Sequence, residues 1–214
     1  MARHFADGAR GSSGNLIFYV RNGVQCSRVR TANFHDAKTP GQLAHREKMR
    51  LTANFVRKCI KAIRIGYQAS DKDSASNEIR SFIMKNCFVQ GAALPELDYS
   101  KILVSRGNLV PPRNTTLTVD ASTATITWEN IKGANESFKL SDRIIVVLYS
   151  EKDLDGFSNI VDELGTRKDM KASFNFSKRS LPLHAWMFFT NSDMAVGESR
   201  QKISNSVYLG VIEG

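Results

Sequence analysis

His184-Ala-Trp-Met-Phe-Phe-Thr190 is the stretch on which the fold turns, because it is one of seven short apolar segments that follow Asp98. The others are 101–105, 115–120, 124–128, 142–149, 172–176 and 206–212, separated by Gly, Asn, Asp, Ser and Pro. Period-two patterning with turn punctuation and no helical spacing between segments predicts an antiparallel β-sandwich over 98–214. Trp128 and Trp186 are its natural core anchors, each large enough to fix a packed layer.

Upstream the pattern changes. Asn15-Leu-Ile-Phe-Tyr-Val-Arg21 and Val24-Gln-Cys-Ser-Arg-Val-Arg30 flank Asn22-Gly23, the strongest short hairpin signal. Leu16, Phe18 and Val20 alternate with Ile17 and Tyr19, so both faces of this ribbon are apolar, and with Val24 these residues form a candidate assembly surface. A two-stranded hairpin is only marginally stable alone, which calls for pairing with or insertion into another subunit. Residues 1–13 carry no periodicity and are expected to be a flexible tail.

Between hairpin and strands lies a two-helix region, so that 14–97 reads as one basic hairpin and helical segment and the whole chain as α+β. Thr39-Pro40 with Gln42 is a helix start, and Gly66 a stop. Met49, Ala53, Val56, Ile60, Ile63 and Tyr67, widened by Phe55 and Cys59, recur at helical steps and predict the buried stripe. A second helix is expected over 77–87 on the spacing of Ile79, Phe82, Ile83 and Phe88.

The 214 residues carry a net charge of +9, with 42% hydrophobic and 24% charged residues, an ordinary globular composition. That charge is concentrated: up to Tyr67 there are 13 Lys and Arg against 3 Asp and Glu, and from Gln68 onward 17 against 18. Arg46, Lys48, Arg50, Arg57, Lys58, Lys61 and Arg64 form a basic face opposite the helix stripe, to be read either as a solvated face or as phosphate contacts. No apolar run approaches the roughly 18 residues of a membrane span. An N-terminus with charge but no apolar region predicts no signal peptide and cytoplasmic synthesis. Cys26, Cys59 and Cys87, at spacings of 33 and 28, fit neither a disulfide framework nor a zinc site.

Motifs for nucleophilic, phosphate-binding, zinc-protease or dinucleotide chemistry are absent, and the four histidines are scattered. His184 reads as a structural or edge residue and Cys59 as an inert core thiol. Residues 151–162 imitate the spacing of an EF-hand loop, but Glu at the first position and Asp at the last read better as a solvated inter-strand loop than as a calcium site. No catalytic residue, metal, cofactor or small-molecule substrate is expected.

Two resemblances accompany these readings. Thr125-Ile-Thr-Trp128, Trp186-Met-Phe-Phe-Thr-Asn191 and Ser204-Asn-Ser-Val-Tyr208 resemble the strand sequence of a fibronectin type III module. Gly14-Asn-Leu-Ile-Phe-Tyr19, Thr39-Pro-Gly-Gln-Leu-Ala-His-Arg-Glu-Lys-Met49, Asp98-Tyr-Ser-Lys-Ile-Leu-Val-Ser-Arg-Gly107 and Ser204-Asn-Ser-Val-Tyr-Leu-Gly210 resemble a family of uncharacterised Bacteroidetes proteins of similar length. That second resemblance implies one hairpin-plus-helices region before an immunoglobulin-like domain, and no assigned activity. The expectation is a non-enzymatic structural or interaction protein, self-associating or built into a larger assembly such as a phage virion or filament through its basic N-terminal third. The alternative is a non-specific nucleic-acid-binding protein.

Overall fold

The structure is a computed structural model of the chain and describes residues 3–5, 8–31, 36–67, 72–131, 133, 138–152, 160–191 and 202–213. The chain divides into two compact units, Met1–Pro40 and Gly41–Gly214. Strands β1 (Arg3–Phe5), β2 (Gly8–Ser13), β3 (Leu16–Arg21) and β4 (Val24–Val29) make the first unit an antiparallel sheet in that order. The expected hairpin is its second half. Residues expected as a tail supply β1 and β2, because Gly14-Asn15 is itself a two-residue turn: Gly14 takes φ +55° and Ser13 comes opposite Leu16.

The second unit opens with helices α1 (Pro40–Lys58), α2 (Ile60–Gly66) and α3 (Lys72–Asn86). The first helix starts and ends near the predicted residues but breaks at Cys59, where φ is −94° and ψ 13°. Cys59 N–H still donates to Phe55 (3.0 Å) and Ile63 N–H to Cys59 (2.9 Å), so the helical hydrogen-bond spacing crosses the break. The buried stripe is rotated from the predicted one. Thr52, Phe55, Val56, Cys59, Ala62 and Ile63 are buried, while Met49 and Ala53 are exposed. Gly66 is the last residue of α2, and only glycine fits there because a Cβ would strike the Val104 carbonyl oxygen.

Seven strands follow: β5 (Arg113–Asp120), β6 (Thr123–Glu129), β7 (Arg143–Tyr149), β8 (Ile160–Val161), β9 (Lys171–Asn175), β10 (Leu183–Thr190) and β11 (Val207–Ile212). They form two antiparallel sheets, ordered β5-β6-β9 and β11-β10-β7-β8. The chain is therefore α+β, with three helices and three antiparallel sheets among the described residues and a β-rich C-terminal half.

Strands β7 and β10 are buried on both faces. Ile144, Val146, Leu148, Ala185, Met187 and Phe189 join Ile126, Trp128, Ala172 and Phe174 of the other sheet in one apolar cluster. Ile145, Val147, Tyr149, Trp186 and Phe188 join Phe55, Ile63, Ile79 and Ile83 of the helices in a second. Each fully buried large side chain stabilises the fold by about 1.5–3 kcal/mol. Both tryptophans are buried, in different cores: Trp128 lies between the sheets, and Trp186 faces the helices, since alternation along β10 sends it opposite Ala185 and Met187. The helices share one core with strands of the C-terminal half, and the division into compact units falls at Pro40.

Segment 101–105 is not a ladder strand. Ile102 and Val104 are buried among the helices, and the backbone around them is satisfied mostly by side chains. Tyr67 Oη donates to the Leu103 carbonyl (2.8 Å), Trp186 Nε1 to that of Ile102 (2.9 Å), and the Val104 N–H donates to Ser206 Oγ (2.9 Å). Buried polar backbone needs partners of some kind, and here side chains replace a neighbouring strand.

Candidate functional site

The N-terminal sheet brings the predicted assembly residues together by turn chemistry alone. Asn22 and Gly23 take φ +51° and +76°, the conformation that a two-residue type I′ hairpin demands, and Arg21 pairs with Val24. From that register one face carries Leu16, Phe18 and Val20 beside Val29, Ser27 and Gln25, and the other carries Ile17, Tyr19 and Arg21 beside Arg28, Cys26 and Val24. Leu16 and Val29 are 40% and 63% exposed on the first face, Tyr19 and Val24 39% and 63% on the second. Ile17, Tyr19 and Arg28 line a shallow concavity.

Gln25 is a residue that the sequence reading missed. Its Oε1 accepts from Ala9 N–H (2.6 Å) and its Nε2 donates to the Ala9 carbonyl (3.0 Å), so a side chain of β4 ties the backbone of β2 in place of a ladder pair. No local pattern marks such a role, since it depends on β2 being present at all. The turn that brings β2 in was legible, because Gly-Asn is a recognised two-residue hairpin pair.

The basic face is less uniform than its spacing suggests. Lys58 donates to the carbonyls of Ser150 (3.2 Å), Glu151 (2.7 Å) and Lys152 (3.1 Å) and lies 5.7 Å from the centre of the Tyr149 ring. It is a clamp between α1 and the end of β7, not part of an open surface. Lys48 covers the Phe88 ring at 5.1 Å, Arg50 pairs with Glu47 at 2.6 Å, and Arg57 donates to Asn54 Oδ1 at 3.0 Å. Arg46, Arg57, Lys61 and Arg64 remain exposed.

The remaining titratable groups sit in packing roles. His184 Nδ1 lies 2.9 Å from Tyr208 Oη and its ring 3.9 Å from that of Tyr99, whose hydroxyl donates to Glu151 Oε1 at 2.7 Å. Burial lowers the His184 pKa below its ordinary value, and Glu151 only partly opposes it. Burial pushes the Cys59 thiol up to about 12 and that of Cys87 to about 11, so both are protonated and unreactive at neutral pH. Arg167 and Asp142 form an ion pair 3.2 Å long with both side chains 1% exposed, and Arg167 Nη2 donates to the Val110 carbonyl at 2.6 Å. The Arg167 carbonyl also accepts from Trp128 Nε1 at 3.2 Å, which makes the pair part of the scaffold. Of the acidic stretch 151–162, residues 153–159 lie outside the described residues. Among the described residues no three His, Cys, Asp or Glu side chains form a group able to hold a metal, and no helix is long and apolar enough to cross a membrane.

A model of a family of unknown function, DUF6266, matches residues 8–210. The chain belongs to that family. No curated protein matches the chain. The DUF6266 match enters at β2 and leaves within β11, so it spans the division at Pro40 and takes in strands β2 to β4 together with all three helices. Within this DUF6266 chain, then, the exposed sheet is as much a part of the family's sequence as the buried strands.

Proposed function

We propose that the chain is a non-enzymatic assembly protein that docks onto another protein surface through its N-terminal sheet. A second part of the proposal is that Gly41–Gly214 is built on an immunoglobulin-like sandwich with helices added to one sheet. The strand order supports the latter, since three strands face four with β6 and β9 opposed to β7 and β10 across one apolar cluster.

One observation carries the docking reading. Among residues 8–31 and 36–40, Ala9 is the single apolar side chain that is buried, while Leu16, Tyr19, Val24 and Val29 stand open. A unit of this size cannot draw enough stability from its own core and ordinarily relies on disulfides, metals or association. It contains one cysteine, so an internal disulfide is impossible, and association is the route this reading assigns. Exposed apolar residues on both faces supply the surface for it.

Light scattering coupled to size exclusion tests this. The full chain is expected as an oligomer or a stable complex with a co-purifying partner, and removal of residues 1–30, or the combined replacement of Leu16, Tyr19, Val24 and Val29 by Ser, is expected to leave a monomer. A strictly monomeric, partner-free full chain at high concentration overturns the reading. The nucleic-acid alternative draws on Arg57, Lys61 and Arg64, exposed at steps of four and three on one helical stripe. It requires affinity for DNA or RNA that falls steeply with salt.

A further inference from the structure

We infer that β4 is an open sheet edge that accepts an extended, acidic segment of a partner protein as a fifth strand. The inference rests on the docking reading above and specifies its geometry and its partner.

The sheet order places β4 at one end, so one side of its backbone pairs with β3 and the other pairs with no strand of the sheet. Which groups point outward follows from one hydrogen bond. Arg30 N–H donates to the Asn15 carbonyl at 2.8 Å, toward β3. In an antiparallel ladder the inward-bonding residues alternate, so Arg28, Cys26 and Val24 also turn their backbone groups to β3. Gln25, Ser27 and Val29 therefore present their N–H and C=O groups outward, three donor and acceptor pairs at two-residue steps. The register from Leu16–Val29 to Arg21–Val24 is unbroken, and β4 holds no proline or bulge to block strand addition; its one charged residue, Arg28, blocks basic strands and not acidic ones.

Charge selects the occupant. Residues 8–31 contain Arg10, Arg21, Arg28 and Arg30 and no Asp or Glu. Arg21, Arg28 and Arg30 are exposed. An incoming strand of alternating acidic and apolar residues sets its carboxylates beside Arg28 and its apolar side chains on the opposite face, beside Val29. A second copy of β4 in the same place would set an arginine-bearing strand against itself, which disfavours self-pairing. Single-stranded nucleic acid finds only one aromatic ring, Tyr19, on the Arg28 face of β3 and β4, where base stacking ordinarily uses several.

The test uses the full chain, isotope-labelled for NMR, and a synthetic peptide of alternating Glu and Val about one strand long. The expected result is saturable binding with slowed amide exchange at Gln25, Ser27 and Val29, and no such effect from the Lys/Val counterpart. Ser27→Pro deletes an outward N–H without removing any bond to β3, and is expected to abolish peptide binding while cross-strand contacts between β3 and β4 persist. Arg28→Glu is expected to weaken the Glu/Val peptide by about tenfold, a change of roughly 1.4 kcal/mol, and serves if the proline variant disturbs the sheet. Equal binding of both peptides, protection outside β4, or binding of an oligonucleotide in place of the acidic peptide overturns the inference. The two proposals fail differently. If assembly is lost on removing residues 1–30 but survives Ser27→Pro, docking stands and the edge falls; if assembly survives both changes, the docking reading itself falls.

Discussion

The two units solve the same problem in opposite proportions. In Met1–Pro40, turn chemistry and ladder hydrogen bonds specify four strands and their register, yet among residues 8–31 and 36–40 Ala9 alone is a buried apolar side chain. In Gly41–Gly214, β7 and β10 bury side chains on both faces, and even an extended segment with no ladder, 101–105, is held by packing. Backbone hydrogen bonds give shape but contribute only about 0.5–1.5 kcal/mol each against water, whereas burial supplies most of the free energy that offsets chain entropy. A unit can thus be well specified and weakly stabilised at once, and such a unit looks outward for its remaining stability.

The widest contrast between the units lies in truncation of a large side chain. Trp186→Ala is expected to cost about 3–5 kcal/mol, because it empties the centre of the helix-side cluster and leaves the Ile102 carbonyl without its donor. Tyr19→Ala in the N-terminal sheet is expected to stay within about 0.5 kcal/mol. Urea unfolding followed by tryptophan fluorescence for the body and by amide NMR signals of β3 and β4 for the sheet measures the two, and a comparable loss from Tyr19→Ala would erase the distinction between the units.

What was legible in the sequence follows the same divide. Turns are local, so Asn22-Gly23 announced its hairpin, and the Thr39-Pro40 pair announced α1. Strand periodicity is local too, and six of the seven expected segments are strands. What periodicity leaves open is the identity of the element covering each face. Alternation in 183–190 shows two faces, but only tertiary structure reveals that one meets a sheet and the other, with Trp186, a helix layer. The same applies to the basic face: seven cations at helical spacing look equivalent until β7 ends beneath Lys58. Segment 101–105 alternates like a strand because its Ile and Val are buried, and nothing local says whether a neighbouring backbone or side chains will meet its polar groups. Gln25 lay beyond reach because its partner, Ala9, sits on a strand expected to be a tail.

Lys58 sharpens the comparison at intermediate scale. Lys58→Ala removes a charged donor shared by three carbonyls, and hydrogen bonds to charged groups contribute about 1.5–3 kcal/mol, so a loss in that range is expected. Lys61→Ala, three residues along on the exposed side, is expected to change stability by less than about 0.5 kcal/mol. Thermal melts of the two variants decide whether the basic residues divide into scaffold and surface as described.

The smallest effect is a slope with pH. His184 has a folded pKa lowered from 6.5 by burial, so below that value the unfolded chain binds a proton more readily than the folded one. Stability from this group is complete above the unfolded value and declines as pH falls toward the folded one; below both values the decline ends. Glu151 and the hydroxyls of Tyr99 and Tyr208 are the polar groups around it. His184→Gln is expected to flatten that part of the stability profile, and an NMR titration placing the His184 pKa above 6.5 would reverse the sign.

Strand β10 also sets a timetable. The helices emerge during synthesis with an apolar stripe whose cover, Trp186 and Phe188, lies more than a hundred residues further along the chain. Until those residues leave the ribosome neither cluster can close, and the stripe stays open to water and to wrong partners. Contacts of such long sequence separation also slow folding, because chain ends must meet before any reward is gained. One strand shared by two cores thus makes the body a late and all-at-once event, with chaperone dependence expected to concentrate on chains that stop short of residue 190.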